Sequence, residues 1–133
     1  MTDFSVKEAS ALLGVSDDTV RRWADAGRLT LTPGANGRSI ISGKQLAAVA
    51  EQLASESSRL DTFGSQSASA RNRLTGIVTR VVKDTVMAQV DIQAGPFRLV
   101  ALISREAADA LKLEPGSIAT ATIKATNVGV EVP

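Results

Sequence analysis

Apolar positions near the N-terminus recur at helical spacing. Ser5-Val-Lys-Glu8 is a capping-box pattern, in which the Ser5 hydroxyl accepts from the Glu8 amide while the Glu8 carboxylate reaches back. Val6, Ala9, Leu12 and Leu13 follow on one helical stripe, and Gly14 is a stop signal. Ser16 offers a second N-cap, Asp17 and Asp18 suit a helix N-terminus, and Val20, Trp23 and Ala24 predict the buried face of a second helix ending at Gly27. The period then changes. Leu29–Thr32 and Arg38–Ile41 alternate like two short strands around the turn-forming run Pro33-Gly-Ala-Asn-Gly37. Ser42-Gly-Lys-Gln45 repeats the capping pattern, and Leu46, Val49, Ala50 and Leu53 predict a third helix. Helix, turn, helix, β-wing, helix is the order of a winged helix-turn-helix.

Between Ser55 and Ser69 six of fifteen residues are serine, with Leu60 and Phe63 as the strong apolar anchors, which reads as a linker. Beyond it the alternation is that of strands. Asn72–Lys83, Val86–Ile92, Phe97–Ile103, Ser117–Lys124 and Val128–Val132 are separated by turn residues. After the third, Ser104 caps a short helix, Arg105–Leu111, with Ala107, Ala108 and Leu111 turned inward. Five short strands with one inserted helix predict a small OB-like barrel. The expected fold class is α+β in two domains: a winged helix-turn-helix over 1–54, a linker over 55–67, and a five-stranded OB-like β-barrel over 68–133. Each has a thin core that gains from association.

Composition removes several kinds of chemistry. The 133 residues include no histidine and no cysteine. That excludes Ser-His-Asp and Cys-His catalysis, zinc sites built on those ligands, and disulfides. No acidic loop is clustered to hold a metal cation, and no Gly-rich phosphate loop or cofactor motif is present, so a binding protein is expected and not an enzyme. Aromatics are 3% of the chain, too few for stacking on single-stranded nucleic acid. With no long apolar run and no signal-like N-terminus, a cytoplasmic protein without membrane contact is expected. Net charge is +1, yet Val20–Lys44 holds Arg21, Arg22, Arg28, Arg38 and Lys44 against Asp25 alone. A patch of that size suits a small DNA-binding module, and a solvated surface would look the same by charge alone.

The run FSVKEASALLGVSDDTVRRWADAGRLTLTPGANGRSIIS resembles the MerR-type and excisionase-like DNA-binding domain. The likeness lies in its V-x-x-A-S-x-x-L-G-V-S turn, its T-V-R-R-W second helix, its A-G-R-L exit and its Gly-rich wing. It implies that double-stranded DNA is a partner, with the second helix in the major groove and the wing on the flanking backbone. By that likeness Thr19, Arg21 and Arg22 are groove or phosphate contacts, with Asn36 and Arg38 on the wing. Pairing of Arg21 or Arg22 with Asp17, Asp18 or Asp25 along the helix is the structural alternative. Trp23 shares its register with Val20 and reads as a core anchor. The long dimerisation helix of full MerR regulators is missing, so another element must pair the readers.

The second half, SARNRLTGIVTRVVKDTVMAQVDI followed by LVALISREAADALKLEPGSIATATIKATNVGVEV, resembles the molbindin (Mop) domain, also called the TOBE type. The S-A-R-N-x-L-x-G opening and the closing I-K-A-T carry the likeness. It implies binding of molybdate and tungstate between associated domains, by Ser69, Ala70 and Arg71, by Ser104, and by Lys124, Ala125 and Thr126. The residue types suit the ligand. Small side chains admit a tetrahedral dianion to the main-chain amides, hydroxyls donate, and Lys124 adds a compact charge. Regulators of this kind usually carry two such domains in tandem, whereas this chain has one. Single-domain relatives commonly form hexamers, so a homo-oligomer, at least a dimer, is expected.

The reading that follows is a molybdate- or tungstate-sensing transcriptional regulator. Two competitors are an intracellular oxyanion buffer whose N-terminal domain serves assembly, and a DNA-binding protein whose barrel only multimerises. The basic patch and wing disfavour the first, and the three anion segments disfavour the second.

Overall fold

The computed structural model describes residues 2–56 and 69–133, which fall in two compact units on either side of the intervening segment. The first unit contains β1 (Asp3–Ser5), α1 (Val6–Leu13), α2 (Asp17–Asp25), β2 (Thr32–Pro33), β3 (Ser39–Ser42) and α3 (Gly43–Glu56). Ser5 opens α1 through a complete capping box, and its hydroxyl accepts from Glu8 N at 3.1 Å. Ser16 opens α2 with its hydroxyl alone, accepting from Thr19 N at 3.1 Å. Ser42 accepts from Gln45 N at 3.2 Å to start α3. The capping box is not closed there, because the Gln45 amide pairs with Thr30, donating to its O at 3.0 Å and accepting from its N at 2.9 Å.

Val6, Ala9, Val20, Leu29, Ile41, Leu46 and Val49 form the core, with Trp23, Ala24 and Leu53 packed against it. Three expectations are corrected. Leu12 is 65% exposed, because the buried stripe of α1 runs through Val6, Ala9 and Ser10. Ser10 tolerates burial by donating toward Lys7 O and Asp17 Oδ1, at 2.8 and 2.6 Å, which also ties α1 to α2. The first wing strand is shorter than Leu29–Thr32, because Leu29 is drawn into the core. An unpredicted strand, β1, pairs with β3 and makes a sheet in the order β1-β3-β2.

α3 continues through Ser55 and Glu56, which the sequence assigned to the linker; residues 57–67 of that linker lie outside the described residues.

The second unit contains β4 (Asn72–Lys83), β5 (Met87–Ala94), β6 (Phe97–Ser104), α4 (Arg105–Ala110), β7 (Ile118–Ile123) and a 3-10 turn at Ala125–Asn127. Its antiparallel sheet has the order β6-β5-β4-β7. β4 serves two partners in succession. Residues 72–77 pair with β7, residues 77–83 with β5, and a bulge at Thr79 bends the strand between Val78 and Arg80. The bend lets both Val78 and Val81 reach the core formed with Val90 and Ile92. At the changeover, a Cβ on Gly76 would stand 2.2 Å from Gln93 O, so β5 can cross β4 there only over a glycine.

Asp91 is buried on β5, its side chain 6% exposed, and accepts from Arg98 Nη2 at 2.7 Å, Arg98 Nε at 3.2 Å and Gln89 Nε2 at 3.1 Å. The Arg98 bonds, then that of Gln89, hold its carboxyl below the ordinary carboxylate range.

Two expectations fail here. Leu111 is 66% exposed, because α4 stops at Ala110 and Lys112, at φ 55°, turns the chain so that Leu113 packs instead. The strand expected at Val128–Val132 is not formed: the segment is irregular, with Val130 91% and Val132 86% exposed. The described sheet therefore has four strands and curls without a fifth. A cleft of about 700 Å³ opens between residues 99–103 of β6 and 118–123 of β7, with Val90 and Ile92 among its lining.

Gly76→Ala is expected to destabilise the second unit by about 1–3 kcal/mol, since backbone at that distance yields only by distortion. Gly129→Ala, with open space around its Cβ position, is the neutral control. Urea denaturation of the full chain checks the pair, and equal midpoints would contradict the close crossing.

Candidate functional site

The predicted anion residues gather in two places. Asn72 and Ile123 face each other across the β4–β7 ladder, and Asn72 Nδ2 donates to Ile123 O at 3.0 Å. Ser69, Ala70 and Arg71 run into the start of β4, while Lys124, Ala125 and Thr126 leave the end of β7, so the two segments lie side by side at one end of the sheet. Ser69, Arg71, Lys124 and Thr126 are exposed, and Ala70 is half-buried. Asn127 N donates to Lys124 O (2.9 Å) and Val128 N to Ala125 O (3.3 Å). A 3-10 turn leaves its first amides without an acceptor inside the turn, and here those belong to Ala125 and Thr126.

Ser104 is elsewhere. It pairs with Met87, next to the Ala88–Lys83 pair, which puts it at the far end of β4 from Asn72. Its hydroxyl caps α4 by accepting from Ala107 N at 3.0 Å, leaving the hydroxyl proton to donate outward. Several bonds fix this corner. Lys83 Nζ reaches Asp109 Oδ1 at 2.6 Å, Arg105 Nη1 donates to Asp84 O at 3.1 Å, and Arg105 N donates to Val86 O at 2.8 Å. The Asp84 carboxylate accepts from the amides of Met87 and Val86, which lower its pKa in that order. Two of the three predicted segments are thus adjacent in one chain, and the third stands apart.

On the first unit, Arg21 and Arg22 are exposed, and no salt bridge among the described residues involves either. Their pairing with Asp17, Asp18 or Asp25 is therefore not adopted. Arg22 Nη2 donates to Thr19 Oγ1 at 3.1 Å, and that oxygen lies 2.9 Å from Ser16 Oγ, so Thr19 is tied into the α2 cap. On the wing, Asn36 Oδ1 accepts from Arg38 N at 3.1 Å and Gly34 N donates to Arg38 O at 2.6 Å. This closes the turn and leaves the exposed side chain of Arg38 at its edge.

Arg28, a member of the same basic run, differs. It lies over Trp23 and pairs with Glu56. Charge counting could not separate it from the others. The signal was the stop at Gly27, which folds the next residue back on the helix.

Comparison with known proteins finds two family matches. Residues 4–54 match a helix-turn-helix domain family, and residues 68–130 match the TOBE domain family. The N-terminal part of the chain is thus similar to helix-turn-helix domains and the C-terminal part to TOBE domains. Among solved structures, a molybdate-binding protein from Sporomusa ovata is 37% identical, with 50% of this chain covering 100% of that one and a TM-score of 0.49. MopII from Clostridium pasteurianum is 34% identical, with 50% and 100% covered and a TM-score of 0.47. The cytoplasmic molybdate-binding protein ModG, crystallised with molybdate bound, is 35% identical, with 55% of this chain and 51% of that one covered and a TM-score of 0.49. No match is found among curated proteins. Among the described residues, no helix is long and apolar enough to cross a membrane, and no three carboxylates cluster as a metal-ion site would require.

Ser104→Ala is expected to cost about 1 kcal/mol of stability through the lost helix cap. Lys124→Ala, at an exposed turn without a side-chain bond to the cap, should change stability by less than about 0.5 kcal/mol. Denaturant midpoints of the two variants check this. A larger loss for Lys124→Ala would give that residue a structural role.

Proposed function

We propose that the chain is a molybdate-responsive DNA-binding regulator, with α2 and the wing reading double-stranded DNA and the TOBE domain holding the anion. The observation that carries the proposal is the adjacency of Ser69–Arg71 and Lys124–Thr126 in a chain that also bears a helix-turn-helix. Turn amides without an acceptor inside the turn, exposed hydroxyl residues and one lysine suit a tetrahedral dianion, and tungstate, with the same shape and charge, is taken as well. Identity of 37% and 35% to two proteins described as molybdate-binding supports the choice of anion.

The site is completed by a second copy. Ser104 lies at the wrong end of β4 to reach the other two segments, so a neighbouring chain supplies it. The barrel closes in the same event. Alternate valines at 128–132 stand exposed, and the cleft between β6 and β7 offers two strand edges and an apolar lining. A five-stranded barrel and a homo-oligomer, at least a dimer, are therefore two aspects of one assembly, and the protein works in the cytoplasm as a binding protein. The second reading is an anion-binding and storage role: a related molybdate-binding protein is covered over its full length by 50% of this chain.

Calorimetric titration of the full chain with molybdate, tungstate, sulfate and phosphate tests the anion assignment. Molybdate and tungstate should bind, Lys124→Ala should weaken both by about one to two orders of magnitude, and anion should raise the melting temperature. No heat and no shift with either anion would overturn it. Arg21→Ala combined with Arg22→Ala should abolish specific DNA binding in gel shifts at fixed salt, with molybdate affinity unchanged. A wild-type chain that retards no DNA would leave the storage reading.

A further inference from the structure

The local geometry of one cation in the basic run is unlike that of a DNA contact. Gly27, at φ 79°, folds the chain back over α2. Gly27 N donates to Ala24 O at 3.1 Å and Arg28 N to Trp23 O at 2.8 Å, the paired bonds of a Schellman stop. That turn lays the Arg28 guanidinium over the Trp23 ring, 5.2 Å from its centroid. Its Nη2 donates to Glu56 Oε2 at 2.5 Å, while its buried Nε makes no hydrogen bond among the described residues. The Arg28 side chain is 26% exposed, against 52% for Glu56. Glu56 is the last residue of α3 and the last described residue before the intervening segment. A single planar cation thus stacks on the aromatic anchor of the reading helix and grips the end of α3 with its edge.

We infer that Arg28 is a positioning residue and not a phosphate contact: it couples the end of α3 at Glu56 to the setting of α2 through Trp23. The inference rests on the regulator reading above and names the side chains that carry its signal. Displacing the backbone at Glu56 moves the guanidinium, and the guanidinium lies on the ring that seats α2 in the core. Removing either partner of the pair disconnects the end of α3 from α2 and leaves Thr19, Arg21 and Arg22 in place.

The full-length chain carries its own probe, since Trp23 is the sole tryptophan. Trp23 emission and affinity for a DNA duplex selected by the wild-type protein are measured with and without molybdate, in wild type, Arg28→Gln and Glu56→Gln. Glu56 is half exposed, so Glu56→Gln tests the pair even where Arg28→Gln unfolds. In wild type, molybdate should shift the emission and change DNA affinity by about 5–150-fold, the span of coupled sites; in both variants the change should fall within about twofold. Calorimetric molybdate affinity and the salt dependence of DNA binding should stay at wild type. A salt slope lower by about one in Arg28→Gln would make Arg28 a phosphate contact and overturn the inference. So would an undiminished molybdate response in Glu56→Gln, with the regulator reading left standing. A wild-type chain that binds DNA equally with and without molybdate would instead end that reading, and the coupling with it.

Discussion

The second unit depends on one close approach, the backbone of β5 against the bare Cα of Gly76. Because the strands can touch there, β4 is shared end to end, with β7 along one half and β5 along the other. Sharing one strand leaves β6 and β7 as edges with an apolar cleft between them. Open edges beside exposed valines are a template for another chain, and in a small sheet they are a hazard unless covered. The same geometry separates Ser104 from the Lys124 turn along the length of β4. An anion site that needs both would therefore span two copies.

Small residues serve twice in this arrangement. Ser104 spends its acceptor on α4, which leaves its hydroxyl proton available to donate, so a proposed role in recognition would not compete with the cap. Ala125 opens a 3-10 turn, whose first amides have no acceptor within the turn itself. A binding surface of this kind carries little formal charge. That is consistent with a chain whose net charge is +1 and whose clustered cations lie in the other half.

Much of the organisation was legible because it is written in local interactions. The caps at Ser5 and Ser16, the two helices they start and the limits of β4 depend on neighbours in sequence, and each is where the pattern indicated. What the pattern missed depends on contacts distant in sequence. Leu12 and Leu111 fit a count of apolar residues but fall off the stripe that burial selects. β1 exists because β3 pairs with it, and three residues that also supply a helix cap give no periodic signal. The bulge at Thr79 places Val78 and Val81 in one core against strict alternation. Val128–Val132 reads as a strand and is irregular in the described structure, because alternation of valines does not by itself supply a strand edge to pair with. Among the site residues, the Ser69 and Lys124 segments could be joined by following the strand register. That Ser104 stands apart required the sheet order.

The central claim is that each anion site is built from two copies of the chain, and subunit mixing tests it most directly. Lys124→Ala and Ser104→Ala chains, exchanged to equilibrium and titrated together with molybdate by calorimetry, can assemble intact sites from the wild-type halves of each. The account predicts that a class of sites with wild-type affinity reappears, about one site in four for random mixing in a symmetric assembly. A titration equal to the average of the two separate variants, with exchange demonstrated, would mean that each site lies within a single chain.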